Sequence, residues 1–141
     1  MYDSNNVFAK ILRGEIPSFK VYEDDRTLSF MDVMPQSEGH TLVIPKTQAR
    51  NLFEIDPQTL AELIKVTQHV AKGVYKAFDP DGMRIMQFNE PAAGQTVFHI
   101  HFHIVPCYDG VDTKFHARDF ADKAVLAQHA ERVKQALQGM R

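Results

Sequence analysis

A single cysteine, Cys107, stands in a chain of 141 residues. No intramolecular disulfide can form, and a cysteine-rich zinc site is excluded. Long apolar runs are missing as well. The apolar stretches extend over only a few positions, far short of the roughly 20 needed to cross a membrane, so no membrane partner is expected. Neither sign of charge is in excess, with 16 Lys and Arg against 18 Asp and Glu and a formal net charge of −2. That balance argues against nucleic-acid binding by bulk electrostatics. There is no internal repeat and no low-complexity tract. The opening Met1-Tyr2-Asp3-Ser4-Asn5-Asn6 lacks the basic-then-apolar pattern of a secretory signal, and a cytoplasmic protein is the expectation. What is present is ordinary for a globular protein: 44% hydrophobic and 24% charged residues. A chain of this length buries roughly 70% of its unfolded surface and needs neither metal nor disulfide to hold a core.

The pattern of apolar and turn residues predicts one domain over residues 1–141, with a core of about 6–108 and a C-terminal helix of about 120–138. Asn6 to Arg13 reads as a short helix stopped by Gly14. Phe19 to Glu23 and Thr27 to Asp32 read as strands joined by a tight turn at Asp24-Asp25-Arg26. His40 to Pro45 is a third strand, rich in β-branched residues. Asp56-Pro57 combines an N-cap with proline at the first helical position. The helix it opens runs to about Phe78, with Leu60, Leu63, Ile64, Thr67, Val70, Ala71, Val74 and Phe78 in one stripe. Met83 to Asn89 and Val97 to Val105 are two further strands. Phe120 to Gln138 is the last helix, capped by Gly139. Five strands with short connections and segregated helices predict an α+β fold with an antiparallel five-stranded sheet and helices packed against it.

Chemistry concentrates at His99, His101 and His103, which alternate with Ile100, Phe102 and Ile104. On a strand this spacing lines three imidazoles along one face, over roughly 13 Å at most, while the apolar trio enters the core. A metal site, a histidine nucleophile and a merely polar strand face all fit that pattern. The metal reading wants a further ligand, and no carboxylate lies within the triad strand. The nucleophile reading has local support. Gly94-Gln95-Thr96, just upstream, can offer backbone amides and side-chain donors to phosphate oxygens. A nucleophilic histidine also needs its proton on the nitrogen turned away from phosphorus, held there by a hydrogen bond such as one to a main-chain carbonyl.

The segment Gln95-Thr96-Val97-Phe98-His99-Ile100-His101-Phe102-His103-Ile104-Val105-Pro106 resembles the signature of the histidine-triad (HIT) family. Phe8 to Pro17 and Gly39 to Lys46 resemble segments of its bacterial Hint-like branch. The similarity covers most of residues 6–108. It implies a HIT-like fold, a homodimer and hydrolysis or transfer at the α-phosphate of a purine nucleotide or nucleotide conjugate, as in an adenosine 5'-monophosphoramidase. It implies no cofactor. By resemblance, His101 is the nucleophile that becomes nucleotidylated. His99 and His103 contact phosphate oxygens and the groups that come and go, and His40 orients them from behind. Asn89, Gly94, Gln95 and Thr96 fall at the phosphate, and Asp32 at the ribose hydroxyls. Val7, Phe8, Ile11, Phe30 and Val33 fall at the base pocket.

One departure concerns metal. Some bacterial relatives hold a structural zinc at positions that are here Asn6, Ala9, Gln48 and His99. Only the histidine remains, so no zinc is expected and His99 is free for the active site. Plainer roles stand beside these. His40 opening a strand, Asp32 in a loop and Asn89 in a turn each have a structural reading. His69 and His129 read as surface helix residues, His116 has no supporting motif, and Cys107 reads as an incidental thiol. Alternatives to the phosphoramidase-like reading are a nucleotide-binding or interaction module with incidental turnover, a dinucleoside polyphosphate hydrolase and a histidine-ligated metalloenzyme.

Overall fold

The computed structural model describes residues 1–114 and 119–140; His116 lies outside the described residues. In chain order the elements are α1 (Val7–Leu12), β1 (Lys20–Glu23), β2 (Thr27–Met31), β3 (Thr41–Pro45), α2 (Pro57–Phe78), β4 (Gly82–Met86), β5 (Phe102–Cys107) and α3 (Lys123–Gln138). The strands form one sheet in the order β1-β2-β3-β5-β4, and every neighbouring pair is antiparallel.

The sheet has two covered faces because its central strands carry apolar residues on both sides. On one face Met31, Val43, Ile100 and Ile104 meet Leu63, Val70 and Val74 of α2 and Leu126, Ala130 and Val133 of α3. On the other, Leu28, Phe30, Leu42 and Ile44 pack with Phe8 of α1. Every residue of β2 and β3 is accordingly buried. The antiparallel α+β architecture is the one the strand and helix spacing predicts.

Local chemistry explains most element ends. The Asn6 side chain accepts from the Ala9 amide and starts α1. Asp24 accepts from the amides of Arg26 and Thr27 and closes the β1–β2 turn. The Asp56 side chain accepts from the Thr59 amide ahead of Pro57, and α2 ends at Asp79 in the left-handed conformation. The α2 stripe packs within the subunit, except Ile64, which is exposed.

Three boundaries differ from expectation by three residues or more. The ladder of β5 begins at Phe102 rather than Val97, because β3 pairs with it only over Thr41, Leu42 and Val43. Upstream, the Ile100 amide donates instead to the Ala49 carbonyl in the loop after β3. β4 stops at Met86, where Gln87 and Asn89 turn to exchange amide hydrogen bonds. α3 starts at Lys123, because its N-cap is Asp122. Gly139 ends α3 with a right-handed φ of −72°, so this cap does not use glycine's conformational freedom. His69 and His129 are not free surface residues: His69 meets Tyr22 edge to face, and His129 meets Phe78 likewise while lying 3.5 Å from the Glu38 carboxylate.

Candidate functional site

His99, His101 and His103 keep the alternation of an extended chain even though only His103 is in the ladder. Ile100 and Ile104 enter the helix-covered core, while the three imidazoles turn to the face that carries Phe8. The His101 and His103 ring centroids are 4.8 Å apart. Phe8 stands edge to face on His101 at 4.9 Å. His103 sits between Leu42 of β3 and Met86 of β4, and Phe88 flanks its ring at 5.4 Å.

Hydrogen bonds fix the tautomers, because a carbonyl oxygen only accepts and a backbone amide only donates. His101 Nδ1 lies 2.7 Å from the His99 carbonyl. The proton is therefore on Nδ1, and the Nε2 lone pair has no hydrogen-bond partner among the described residues. This is the main-chain carbonyl that a nucleophilic histidine requires. The Gln36 amide donates to His40 Nδ1 at 3.0 Å, which puts the His40 proton on Nε2. That proton points to His103 Nδ1, 3.0 Å away. His103 in turn carries its own proton on Nε2. A chain of three donors, Gln36 to His40 to His103, thus leaves a protonated Nε2 on a ring whose centroid is 4.8 Å from that of His101.

Burial keeps these rings neutral. It pushes His101 down to about 3, with the His103 charge adding to the effect. It pushes His40 to about 3, with His101 contributing, and His103 to about 4, with His40 contributing. Asp32 goes the other way: burial raises its carboxyl to about 6 against the opposing Met34 amide. Asp32 Oδ2 is 3.4 Å from His40 Nε2.

Asp32, His40 and His103 offer ligand atoms within 4.8 Å of one another. Their hydrogen bonding does not suit a cation. His40 Nδ1 accepts from Gln36, so its proton occupies Nε2, the atom that would have to ligate. The other potential zinc positions are also occupied by protein chemistry. Asn6 caps α1 through the Ala9 amide, and Ala9 is buried.

His99 departs from expectation. Its Nε2–H donates to the Pro45 carbonyl at 2.7 Å, and its Nδ1 accepts from the Tyr2 hydroxyl at 2.6 Å. The ring is fully buried and both nitrogens are engaged. It has no atom free to touch phosphate; its carbonyl, not its ring, meets His101.

The loop before the triad divides in the same way. Gln95 is buried: it accepts from the Glu90 amide and donates to the carbonyls of Arg50 and Val97. Asn89 accepts from the Leu52 amide and pairs with Gln87. Both hold the loop; Gln95 Nε2 spends both protons on carbonyls, whereas Asn89 Nδ2 gives one proton to Gln87 and keeps the other. Gly94, at φ +101°, is exposed but gives its amide to the Pro91 carbonyl at 3.0 Å, whereas Thr96 is exposed beside it. Of the expected base-pocket residues, Phe8, Phe30 and Ile11 pack together in the second core, whereas Val7 and Val33 are exposed. The adjoining cavity, about 360 Å³, lies instead beside Asp32 and His40 and is walled by Met31, Pro35, Val125 and Leu126.

Sequence reasoning missed three supports. Tyr2 meets His99 from 97 residues away. The Gln36 amide, not a side chain, sets the His40 tautomer. Arg50 clamps Glu90 with two bonds of 2.8 and 2.9 Å and lies 4.2 Å over the Phe98 ring. No spacing rule signals such distant partners. The Glu90 backbone sits at φ +76°, uncommon for a residue with a side chain, and the clamp holds it there.

Comparison with known proteins places this geometry in context. The family model described as HIT domain matches residues 13–110. Protein hit of Bacillus subtilis is 40% identical over 121 residues, 82% of this chain and 83% of that protein. Adenosine 5'-monophosphoramidase hnt1 of Schizosaccharomyces pombe is 39% identical over 100 residues, 71% of this chain and 72% of that protein. The crystal structure of a Hit-like protein involved in cell-cycle regulation from Bartonella henselae, with unknown ligand, matches with a TM-score of 0.90. That match is at 49% identity and covers 96% of this chain and 99% of the other.

Proposed function

The chain belongs to the HIT domain family, and from that premise we propose that it is a nucleotide hydrolase or transferase acting at an α-phosphate through a covalent nucleotidyl-histidine. One observation carries the reading: the 2.7 Å bond from His101 Nδ1 to the His99 carbonyl, which leaves an uncharged lone pair on Nε2.

The favoured substrate class is a purine nucleoside phosphoramidate or a related conjugate, in line with the 5'-monophosphoramidase relative. His101 Nε2 attacks phosphorus, the bond to the amine breaks, and the nucleoside monophosphoryl group rests on the ring. Water then attacks the same phosphorus and releases the nucleoside monophosphate. His103 Nε2–H donates to a phosphate oxygen or to the departing group, and His40 holds its tautomer. Thr96 and the remaining Asn89 N–H supply phosphate donors, and Gly94 and Gln95 shape and hold the loop that presents them. Asp32 accepts from ribose hydroxyls. Val7, Phe8, Ile11, Phe30 and Val33 form the apolar side of the nucleoside site.

Trapping labelled AMP on the protein tests the reading. The label is expected on His101 and lost in His101→Ala. Turnover that survives that substitution would overturn it. A homodimer belongs to the same reading. β4 is an edge strand and Ile85 on it is exposed, a surface that a second copy can extend; sedimentation at graded concentration decides this.

A further inference from the structure

We propose that Tyr2 is a positioning residue for the nucleophile: its hydroxyl locks the His99 ring, and the locked ring holds the carbonyl on which His101 depends. The inference rests on the reading of His101 as nucleophile. It adds a residue outside the 13–110 segment that matches the family model.

The His99 ring has two nitrogens and no exposure. Nε2 faces the Pro45 carbonyl at 2.7 Å. A carbonyl has no proton to give, so Nε2 carries the ring's proton. Nδ1 is then a bare acceptor, and the Tyr2 hydroxyl donates to it at 2.6 Å. Around this pair the surroundings are aromatic. Phe8 stands edge to face on His99 at 6.5 Å, and the Tyr2 ring does so at 5.6 Å. Without the hydroxyl, a buried lone pair loses its donor. The ring cannot recover by turning over, because a flip would carry Nε2 away from Pro45 as well.

The consequence reaches His101 through the backbone. The His99 carbonyl accepts from His101 Nδ1 at 2.7 Å, and residues 99–101 lie outside the β5 ladder. The peptide between them is fixed by its neighbours: the Ile100 amide on Ala49 and the two bonds of the His99 ring. Loosening one of the ring bonds loosens the carbonyl that keeps the His101 proton on the far nitrogen. Tyr2 does not touch the reacting atoms. It acts on the population of correctly protonated, correctly aimed His101.

The experiment compares wild type, Tyr2→Phe, Tyr2→Ala and His101→Ala with adenosine 5'-phosphoramidate, in single-turnover and steady-state assays. Imidazole 15N–1H NMR of the same proteins without substrate runs in parallel. Tyr2→Phe removes the hydroxyl and keeps the ring packing. Its kcat is expected to fall about tenfold with KM held within about twofold, and Tyr2→Ala is expected to match it. The His101 Nδ1–H signal should broaden through faster exchange in both. A wild-type rate in Tyr2→Phe with an unchanged His101 signal overturns the proposal, and so does a defect confined to Tyr2→Ala, which would make the ring packing the whole effect. If the wild type turns over independently of His101, the functional reading fails. The NMR comparison then decides alone: a retained signal overturns the role of Tyr2, and a broadened one upholds it.

Discussion

His40 Nε2 lies 3.0 Å from His103 Nδ1, and because the Gln36 amide occupies His40 Nδ1, the proton between the two rings belongs to His40. The direction of that bond decides which nitrogen of His103 faces the site with a hydrogen.

Replacing His40 therefore acts through His103. In His40→Ala, His103 loses the donor that selects its tautomer, and about half of its population can turn the wrong nitrogen outward. The expected result is a fall in kcat of about tenfold or more, with nucleotide KM little changed. Steady-state assay on adenosine 5'-phosphoramidate reads this directly, and a raised KM at constant kcat would contradict it.

Stability should depend on pH with a defined sign. His40, His101 and His103 are depressed to about 3, 3 and 4, below their ordinary 6.5. Below pH 6.5 the unfolded chain binds protons that the folded rings refuse, so stability is lost as pH falls from 6.5 through the folded values. Asp32, raised from 3.8 to about 6, works in the opposite direction between those two values. Three imidazoles outweigh one carboxyl, and unfolding at pH 5 should take up on the order of two protons. Urea midpoints between pH 7 and 4 measure the slope.

Gln95 and Thr96 are adjacent but should separate cleanly. Gln95 satisfies three backbone groups from a buried position, so Gln95→Ala should cost about 2 kcal/mol of stability. Thr96 is exposed, and Thr96→Ala should leave stability within about 0.5 kcal/mol while weakening nucleotide turnover. Urea titration paired with kinetics on both variants makes the comparison.

At the contact between α2 and α3, a Cβ added at Gly73 would lie 2.5 Å from Leu137 Cδ2. Overpacking there costs about 1–3 kcal/mol, and the better helix propensity of alanine returns up to about 1 kcal/mol. Gly73→Ala should therefore lower the urea midpoint, with kcat at the wild-type level. A higher midpoint would mean that Leu137 moves aside freely.

Chelation is expected to leave turnover unchanged. The proton on His40 Nε2 stands where a cation among Asp32, His40 and His103 would need a lone pair. Assay after exhaustive EDTA treatment, with metal analysis of the untreated protein, checks the point; stoichiometric metal coupled to activity would contradict it.

What could be read from the chain depended on range. α2 was legible at both ends, since Asp56, Pro57 and the turn at Asp79 are local signals. The side taken by His99, His101 and His103 followed from alternation, which survives where the ladder does not. The extent of β5 was not legible, because it depends on where β3 stops pairing, and that is set by a loop about 50 residues earlier. The engagement of His99 by Tyr2, and of Glu90 by Arg50, joins residues 97 and 40 positions apart, and no composition or period encodes such pairs. Gln95 carried a misleading signal: an amide beside a glycine suits phosphate, yet backbone groups nearer than any ligand claim all of it.

The late start of β5 has a mechanical result. The segment carrying His101 hangs from the His99 ring on Pro45, the Ile100 amide on Ala49 and the His101 ring on the His99 carbonyl rather than from rungs shared with β4. Transient fraying of that outer strand would then disturb His103 before it disturbed His101, so amide exchange along Gly82–Met86 can be rapid while the attacking nitrogen keeps its aim.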